Sequence, residues 1–331
     1  MDRAEQLRRW LNATLGGELS IAPASDDASF RRYFRVRKRD SKVTLIAMDA
    51  PPDKESCEPF VRVARLFSDA GVNVPAIHAQ DIDQGFLLLS DLGDRTYLSA
   101  LDARNAGALY GHAFDALVRV QLASRPGALP DYDRGLLERE LRLFPDWYIA
   151  RQMGRNLSAA QAEKLEKAFS AILANNLAQP RVYVHRDYHS RNLMVSDPCP
   201  GILDFQDAVY GPITYDPVSL LRDAYIAWEE ERVIDWTVRY WERARSAKLP
   251  VAPDFADFYR DFEWMGAQRQ LKVLGIFARL SLRDGKDGYL KDQPRVMGYL
   301  KRTCERYREL TPLAMLLDEL DATEKRVGYT F

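Results

Sequence analysis

The sequence predicts an α+β fold, with a β-rich first lobe at residues 1–92 and a mainly helical second lobe at 93–331. Three observations predict it. Short β-branched or aromatic runs separated by polar turns crowd into the part before "SDLGD" (90–94), and long helical patterns dominate after it. A chain of 331 residues is also too long for one small core and short for three domains, so two lobes suit it.

Each element has a local reason. "MDRAEQLRRWLNATL" (1–15) is charged throughout and reads as an amphipathic helix with Ala4, Leu7, Leu11 and Thr14 on one side, not as a signal peptide. "SIAP" (20–23), "RRYFRVRK" (31–38) and "VTLIAMD" (43–49) are strands. In the second, Phe34 and Val36 face one way while Tyr33, Arg35 and Arg37 face the other. "ESCEPFVRVARLFSDAG" (55–71) is a helix with acidic residues early and Gly71 as its stop. "AIHAQD" (76–81) and "GFLLLSD" (85–91) complete a mostly antiparallel sheet. Helices follow at 99–123, 134–152 and 158–177, the last opened by a Ser158/Gln161 capping box. Further helices are expected at 217–246, 254–281, 292–310 and 312–320. "RVYV", "NLMV" and "GILDF" form a small β insertion at 181–205 among them.

Composition excludes several classes. With 47 basic and 48 acidic residues the net charge is −1, which gives no bulk attraction to nucleic acid or anionic lipid. No apolar run approaches the ~20 residues a membrane helix needs. Cys57, Cys199 and Cys304 are scattered, without zinc spacing or a disulfide framework, which favours a reducing, cytoplasmic setting.

The stretch "VYVHRDYHSRNLMVSDPCPGILDFQDAV" (182–209) carries the chemistry. His185, Asp187 and Asn192 occupy one turn between two strands, and a hairpin can return Asp204 beside Asn192. One carboxylate and one amide oxygen form a hard-oxygen pair suited to Mg²⁺, which keeps waters and takes further ligands from a phosphate. Asp187 is left to orient an incoming hydroxyl and accept its proton. His185 and His189 flanking Asp187 also allow a transition-metal site, but such sites need further histidines, and His78 and His112 stand in unremarkable contexts.

"HRDYHSRN" followed by "DF" resembles the catalytic and metal loops of protein kinases. It is more similar to the aminoglycoside-phosphotransferase-like superfamily of small-molecule kinases, with a His two after the Asp. "SFRRYFRV" (29–36), "IAMDAPP" (46–52), "HRDYHSRNLM" (185–194) and "DFEWMGAQRQLKVLGIFARL" (261–280) resemble the bacterial branch that phosphorylates the anomeric hydroxyl of N-acetylmuramate and N-acetylglucosamine in cell-wall recycling.

The resemblance implies a bilobal protein-kinase-like fold and a cytoplasmic, monomeric kinase using ATP and Mg²⁺ on a small-molecule sugar, with no nucleic-acid or membrane partner. It makes Asp187 the catalytic base, Asn192 and Asp204 the magnesium ligands, and His185 and Asp216 braces of the loop. It places Asp91 and Leu92 at the adenine hinge and Ser29, Arg31 and Arg32 beside the nucleotide. His189, Arg191, Trp264 and Arg269 become candidate contacts to acceptor or phosphate. Two departures stand out. Met48 occupies the strand position where the family has a lysine, and "SDDASFRRYF" (25–34) has no glycine, so Arg31 or Arg32 is the expected substitute cation. Kinase activity on another small-molecule or protein hydroxyl, or an inactive ATP-binding regulator, are the alternatives.

Overall fold

A computed structural model describes residues 2–25 and 30–327. In chain order the elements are α1 (Arg3–Leu15), β1 (Leu19–Ser25), β2 (Arg32–Lys38), β3 (Thr44–Asp49), α2 (Glu58–Asp69), β4 (Ile77–Asp81), β5 (Phe86–Ser90), α3 (Tyr97–Ala100) and α4 (Ala106–Leu122). Then come α5 (Arg134–Leu143), a π-helical segment (Phe144–Gln152), α6 (Ala159–Ala178), β6 (Arg181–Val184), β7 (Leu193–Met194), β8 (Gly201–Ile202) and β9 (Val209–Pro212). The chain closes with α7 (Tyr215–Leu221), α8 (Glu230–Ser246), α9 (Phe255–Asp284), α10 (Gln293–Arg306) and α11 (Thr311–Val327). No helix among the described residues is long and apolar enough to cross a membrane.

Two compact units result: Met1–Ala123 with Arg191–Ala208, and Ser124–Ser190 with Val209–Phe331. This division differs from the 92/93 line read from the sequence. The β7–β8 hairpin joins the first unit because its backbone is bonded there, Ile202 N–H to Asn73 O at 2.8 Å and Val195 N–H to Arg95 O at 2.8 Å. The buried Tyr97 hydroxyl adds a contact to Cys199 Sγ at 3.4 Å.

The first unit is built on a five-stranded antiparallel sheet of order β1-β2-β3-β5-β4. Leu7 and Leu11 of α1 pack on Val36, Ala47, Phe86 and Leu88, with Phe34 at the edge of the cluster. The Phe34/Val36 face of the sequence pattern is therefore the α1 face. Met48, Leu87 and Leu89, on the opposite face by alternation, are buried as well. Cover on both faces explains why "FLLL" is a continuous apolar run rather than an alternating one.

The second unit centres on α9, against which α5, α6, α7 and α10 all pack. Gly275 sits where α9 meets the end of α5, and a β-carbon there would collide with the Leu143 backbone. Only glycine allows that approach. The capping box at Ser158 forms as expected, opening α6.

Several expected helices are broken, two of them by a side chain that competes for backbone groups. The 99–123 helix is α3 plus α4, because Asp102 Oδ1 accepts the N–H groups of Arg104 and Asn105 at 2.7 and 2.9 Å. The 217–246 helix is α7 plus α8, because Asp223 accepts from Ser190 N–H and Tyr225 N–H, each at 2.8 Å. The 134–152 helix widens into the π segment from Phe144, where Pro145 has no N–H to give. β9 was not anticipated; it pairs antiparallel with β6, Val184 opposite Val209.

Candidate active site

In the second unit the chain leaves β6 at His185 and turns sharply. Arg186 has φ +76°, a left-handed conformation that non-glycine residues rarely adopt. Asp216, at the start of α7, holds the turn: its two oxygens accept the N–H groups of His185 at 2.7 Å and Arg186 at 3.0 Å. Asp187 N–H donates to His185 Nδ1 at 3.2 Å, and His189 N–H to the Asp187 carbonyl at 3.0 Å. Asp223, just past the end of α7, takes Ser190 N–H. Carboxylates at both ends of one short helix thus fix the backbone on either side of Asp187.

The charges around Asp187 decide its ionisation. Burial opposes its charge, but Lys272, His189, Arg269 and Arg186 together hold the carboxyl down to about 2. Burial, reinforced by Asp187, pushes Asp216 up to about 7, against the pull of its two N–H donors. Behind the loop lies Glu140, which is 5% exposed. It pairs with Arg186 at 2.5 Å and Lys272 at 2.9 Å and accepts from the Tyr132 hydroxyl and from Gln268 Nε2 at 3.1 Å. Lys272 also donates to the Tyr215 hydroxyl at 3.0 Å. Arg269 lies on α9, and its charge acts on both Asp187 and Asp216.

In the first unit the β7–β8 hairpin brings Asn192 to Asp204, with Asn192 Nδ2 3.2 Å from Asp204 Oδ2. Asp204 takes φ +61°, and Gln206 Nε2 holds its other oxygen at 2.8 Å. Phe205 next to it is fully buried, its ring 4.8 Å from Phe60 and 5.9 Å from Phe67 of α2. The pair offers the hard oxygens that magnesium prefers, and the remaining positions suit water and phosphate. Among the described residues no three His, Cys, Asp or Glu side chains are grouped to hold a metal, so the His185/His189 transition-metal alternative has no support. The His185 ring stands edge-on to Tyr188 and the His189 ring edge-on to Tyr225.

The two candidate arginines separate. Arg32 is bound to Asp49 at 2.5 Å, a fully buried carboxylate that Arg3 shares at 2.7 Å. Arg31 pairs with Glu55 at 2.6 Å and feels the charge of Asp204. Asp91 is clamped by Arg35 at 2.6 Å, which with burial opposing it keeps its carboxyl below the usual range. Leu92 lies beside Gly201 of β8, and Arg191 is exposed. Ser29 lies outside the described residues.

The predicted residues therefore fall into two sets. His185, Asp187, His189, Asp216 and Arg269 gather in the second unit, and Asn192, Asp204 and Arg31 in the first. Trp264 belongs with neither set: it is buried against Tyr307 at 5.6 Å with Arg260 over its ring. Sequence reasoning missed Glu140 and Glu55. Glu140 carried one signal, since it shares an apolar helical stripe with Leu137, Leu141 and Phe144, where a charge needs a partner.

The model of the phosphotransferase enzyme family matches residues 20–255. An N-acetylmuramate/N-acetylglucosamine kinase of Neisseria meningitidis serogroup B is 49% identical over 337 residues, covering 100% of both chains. The protein of the same name from Pseudomonas aeruginosa is 49% identical over 329 residues, 96% of this chain and 97% of its own. An ADP-bound aminoglycoside phosphotransferase superposes with a TM-score of 0.59 at 15% identity, over 89% of this chain and 97% of that one. A choline kinase of Streptococcus pneumoniae superposes with 0.63 at 12% identity, over 90% and 98%. At such identities the solved structures speak for the fold, which is the α+β protein-kinase-like one expected. The chain belongs to the phosphotransferase enzyme family and is a kinase.

Proposed function

We propose that the protein transfers the γ-phosphoryl group of ATP to the anomeric hydroxyl of N-acetylmuramate or N-acetylglucosamine, in the cytoplasm, for recycling of cell-wall sugars. The full-length identity to kinases named for these two sugars carries the reading. Asp187, kept ionised by Lys272, His189, Arg269 and Arg186, orients the sugar hydroxyl and receives its proton as the phosphoryl group arrives. His185 and Asp216 keep the Asp187 backbone in place. Asn192 and Asp204 would hold magnesium, which when bound neutralises charge on the phosphate oxygens. Asp91 and Leu92 contribute backbone groups to the adenine, and His189 and Arg191 are further contacts for acceptor or phosphate.

Arg31 does the work of the strand lysine that Met48 replaces. The support is its surroundings: Arg31 pairs with Glu55 and feels the charge of Asp204, whereas Arg32 is bound to Asp49, a buried carboxylate that Arg3 shares. Arg31→Ala is expected to raise the KM for ATP about tenfold or more, the worth of one charge-assisted contact. Glu55→Gln, which loosens the guanidinium but leaves it in place, is expected to raise it less. Steady-state kinetics at saturating sugar read both values.

Release of ADP from Mg-ATP, measured against a panel of hydroxyl compounds, tests the function. Turnover with these amino sugars above that with aminoglycosides, choline and a Ser/Thr peptide supports it. Turnover only with another acceptor, or ATP binding without turnover on any of them, would refute it.

A further inference from the structure

Arg269 is the cation beside Asp187 that the fold leaves without a counter-charge in contact. Arg186 and Lys272 are both paired with Glu140. Arg222, another buried arginine of this unit, bonds Glu263 at 2.6 Å and the Thr303 hydroxyl at 2.8 Å. Arg269 is 5% exposed, its Nε meets no acceptor, and among the described residues its guanidinium has neither a hydrogen bond nor an ion pair. An arginine cannot shed its charge. A desolvated, unmatched guanidinium is costly, so its presence here needs a partner that arrives from outside the fold.

The surroundings indicate what arrives. Along α9, Arg269 and Phe277 lie two turns apart on one stripe. The Phe277 ring stands 6.1 Å from that of Tyr225, which is 5.3 Å from His189, two residues from Asp187. A cation, a half-buried tyrosine and the hydroxyl-orienting carboxylate therefore belong to one neighbourhood of the second unit. Asp187 and Asp216 feel Arg269 without touching it, so an anion held by the guanidinium sits near the reacting hydroxyl but is not part of it.

We propose that Arg269 is the carboxylate receptor of the acceptor site. It binds the lactyl carboxylate on O3 of N-acetylmuramate, and N-acetylglucosamine, which lacks that group, leaves it unpaired. The inference rests on the sugar-kinase reading above and names the residue that separates its two substrates. O3 and the anomeric oxygen are 1,3-related on one ring, which matches an anion close to Asp187 but not in contact with it. Guanidinium and carboxylate fit through two parallel hydrogen bonds.

Kinetics of Arg269→Gln and Arg269→Lys on both sugars test this. With Arg269→Gln, kcat/KM for N-acetylmuramate is expected to fall at least about 30-fold more than that for N-acetylglucosamine, mainly through KM, a gap of about 2 kcal/mol. Arg269→Lys is expected to recover part of the gap. The unfolding midpoint of Arg269→Gln is expected to stay close to the parent's, because the cost of burying the guanidinium is removed together with its attraction to Asp187. Equal losses on both sugars would show a role at the phosphoryl group and overturn the assignment, as would no loss on either. A lowered midpoint in both variants, with the sugar ratio unchanged, would reduce Arg269 to a structural residue. A parent enzyme active on neither sugar would refute the sugar-kinase reading itself, and this inference with it.

Discussion

Asp187→Asn is expected to lower kcat by about 10³-fold, the middle of the range for a lost general base. The substitution keeps size and shape and removes only the charge. In the parent that charge is secured by Lys272, His189, Arg269 and Arg186, so the group is fully ionised at neutral pH and its acid form plays no part there. An amide can still accept a hydrogen bond from the sugar hydroxyl but cannot take its proton, so the sugar KM is expected to move far less than kcat. The loop itself is expected to survive, since Asp216 and Asp223 hold its backbone through N–H groups that the variant retains. Single-turnover rates with the variant at saturating Mg-ATP and sugar check this. Retention of a tenth or more of parental activity would remove Asp187 from the role of base.

Glu140→Gln is expected to carry the largest stability cost, about 3–5 kcal/mol, the usual effect of removing one partner from a buried ion pair. Glu140 is shared by Arg186 and Lys272, and its loss strands both cations in a site that already contains Arg269. Burial opposes the Glu140 charge, yet Lys272 first and Arg186 next keep its carboxyl below the usual range, so the pair is intact at neutral pH. The sign follows: this stabilisation is present above the ordinary glutamate pKa and is lost as pH falls through the depressed folded value. Urea unfolding at neutral pH, followed by tryptophan fluorescence, measures the cost. A loss below about 1 kcal/mol would mean that the buried cations find other partners. Activity is expected to fall as well, because Arg186 sits in the turn that delivers Asp187.

What could be read in the sequence was local. His185, Asp187, His189 and Asn192 lie within eight consecutive residues, and Asn192 meets Asp204 through one short hairpin, as the spacing indicated, but the sequence did not show that this hairpin belongs to the first unit. The antiparallel sheet was legible because its strands are short and divided by turns. What stayed hidden depends on contacts between distant positions. Glu140 meets Lys272 and Gln268 from far along the chain, and only the folded unit shows that its apolar stripe buries a carboxylate. The choice between Arg31 and Arg32 could not be made from two adjacent arginines; it rests on Asp49 pairing with one and Glu55 with the other. Helices broken at Asp102 and Asp223 have unbroken helical periodicity, because the carboxylates that end them act on backbone rather than on pattern. Trp264 and Arg269 looked alike as candidates on one helix, and burial against Tyr307 separates them.

The position of the phosphate on the product tests the central claim most directly. Phosphorus and proton NMR of a completed reaction of Mg-ATP with N-acetylmuramate, and of a parallel one with N-acetylglucosamine, would show where the group is attached. The predicted result is one ADP per sugar and a phosphorus coupled to the anomeric proton, with loss of the reducing end. Phosphate on another sugar hydroxyl, or unchanged sugar alongside unspent ATP, would contradict the account.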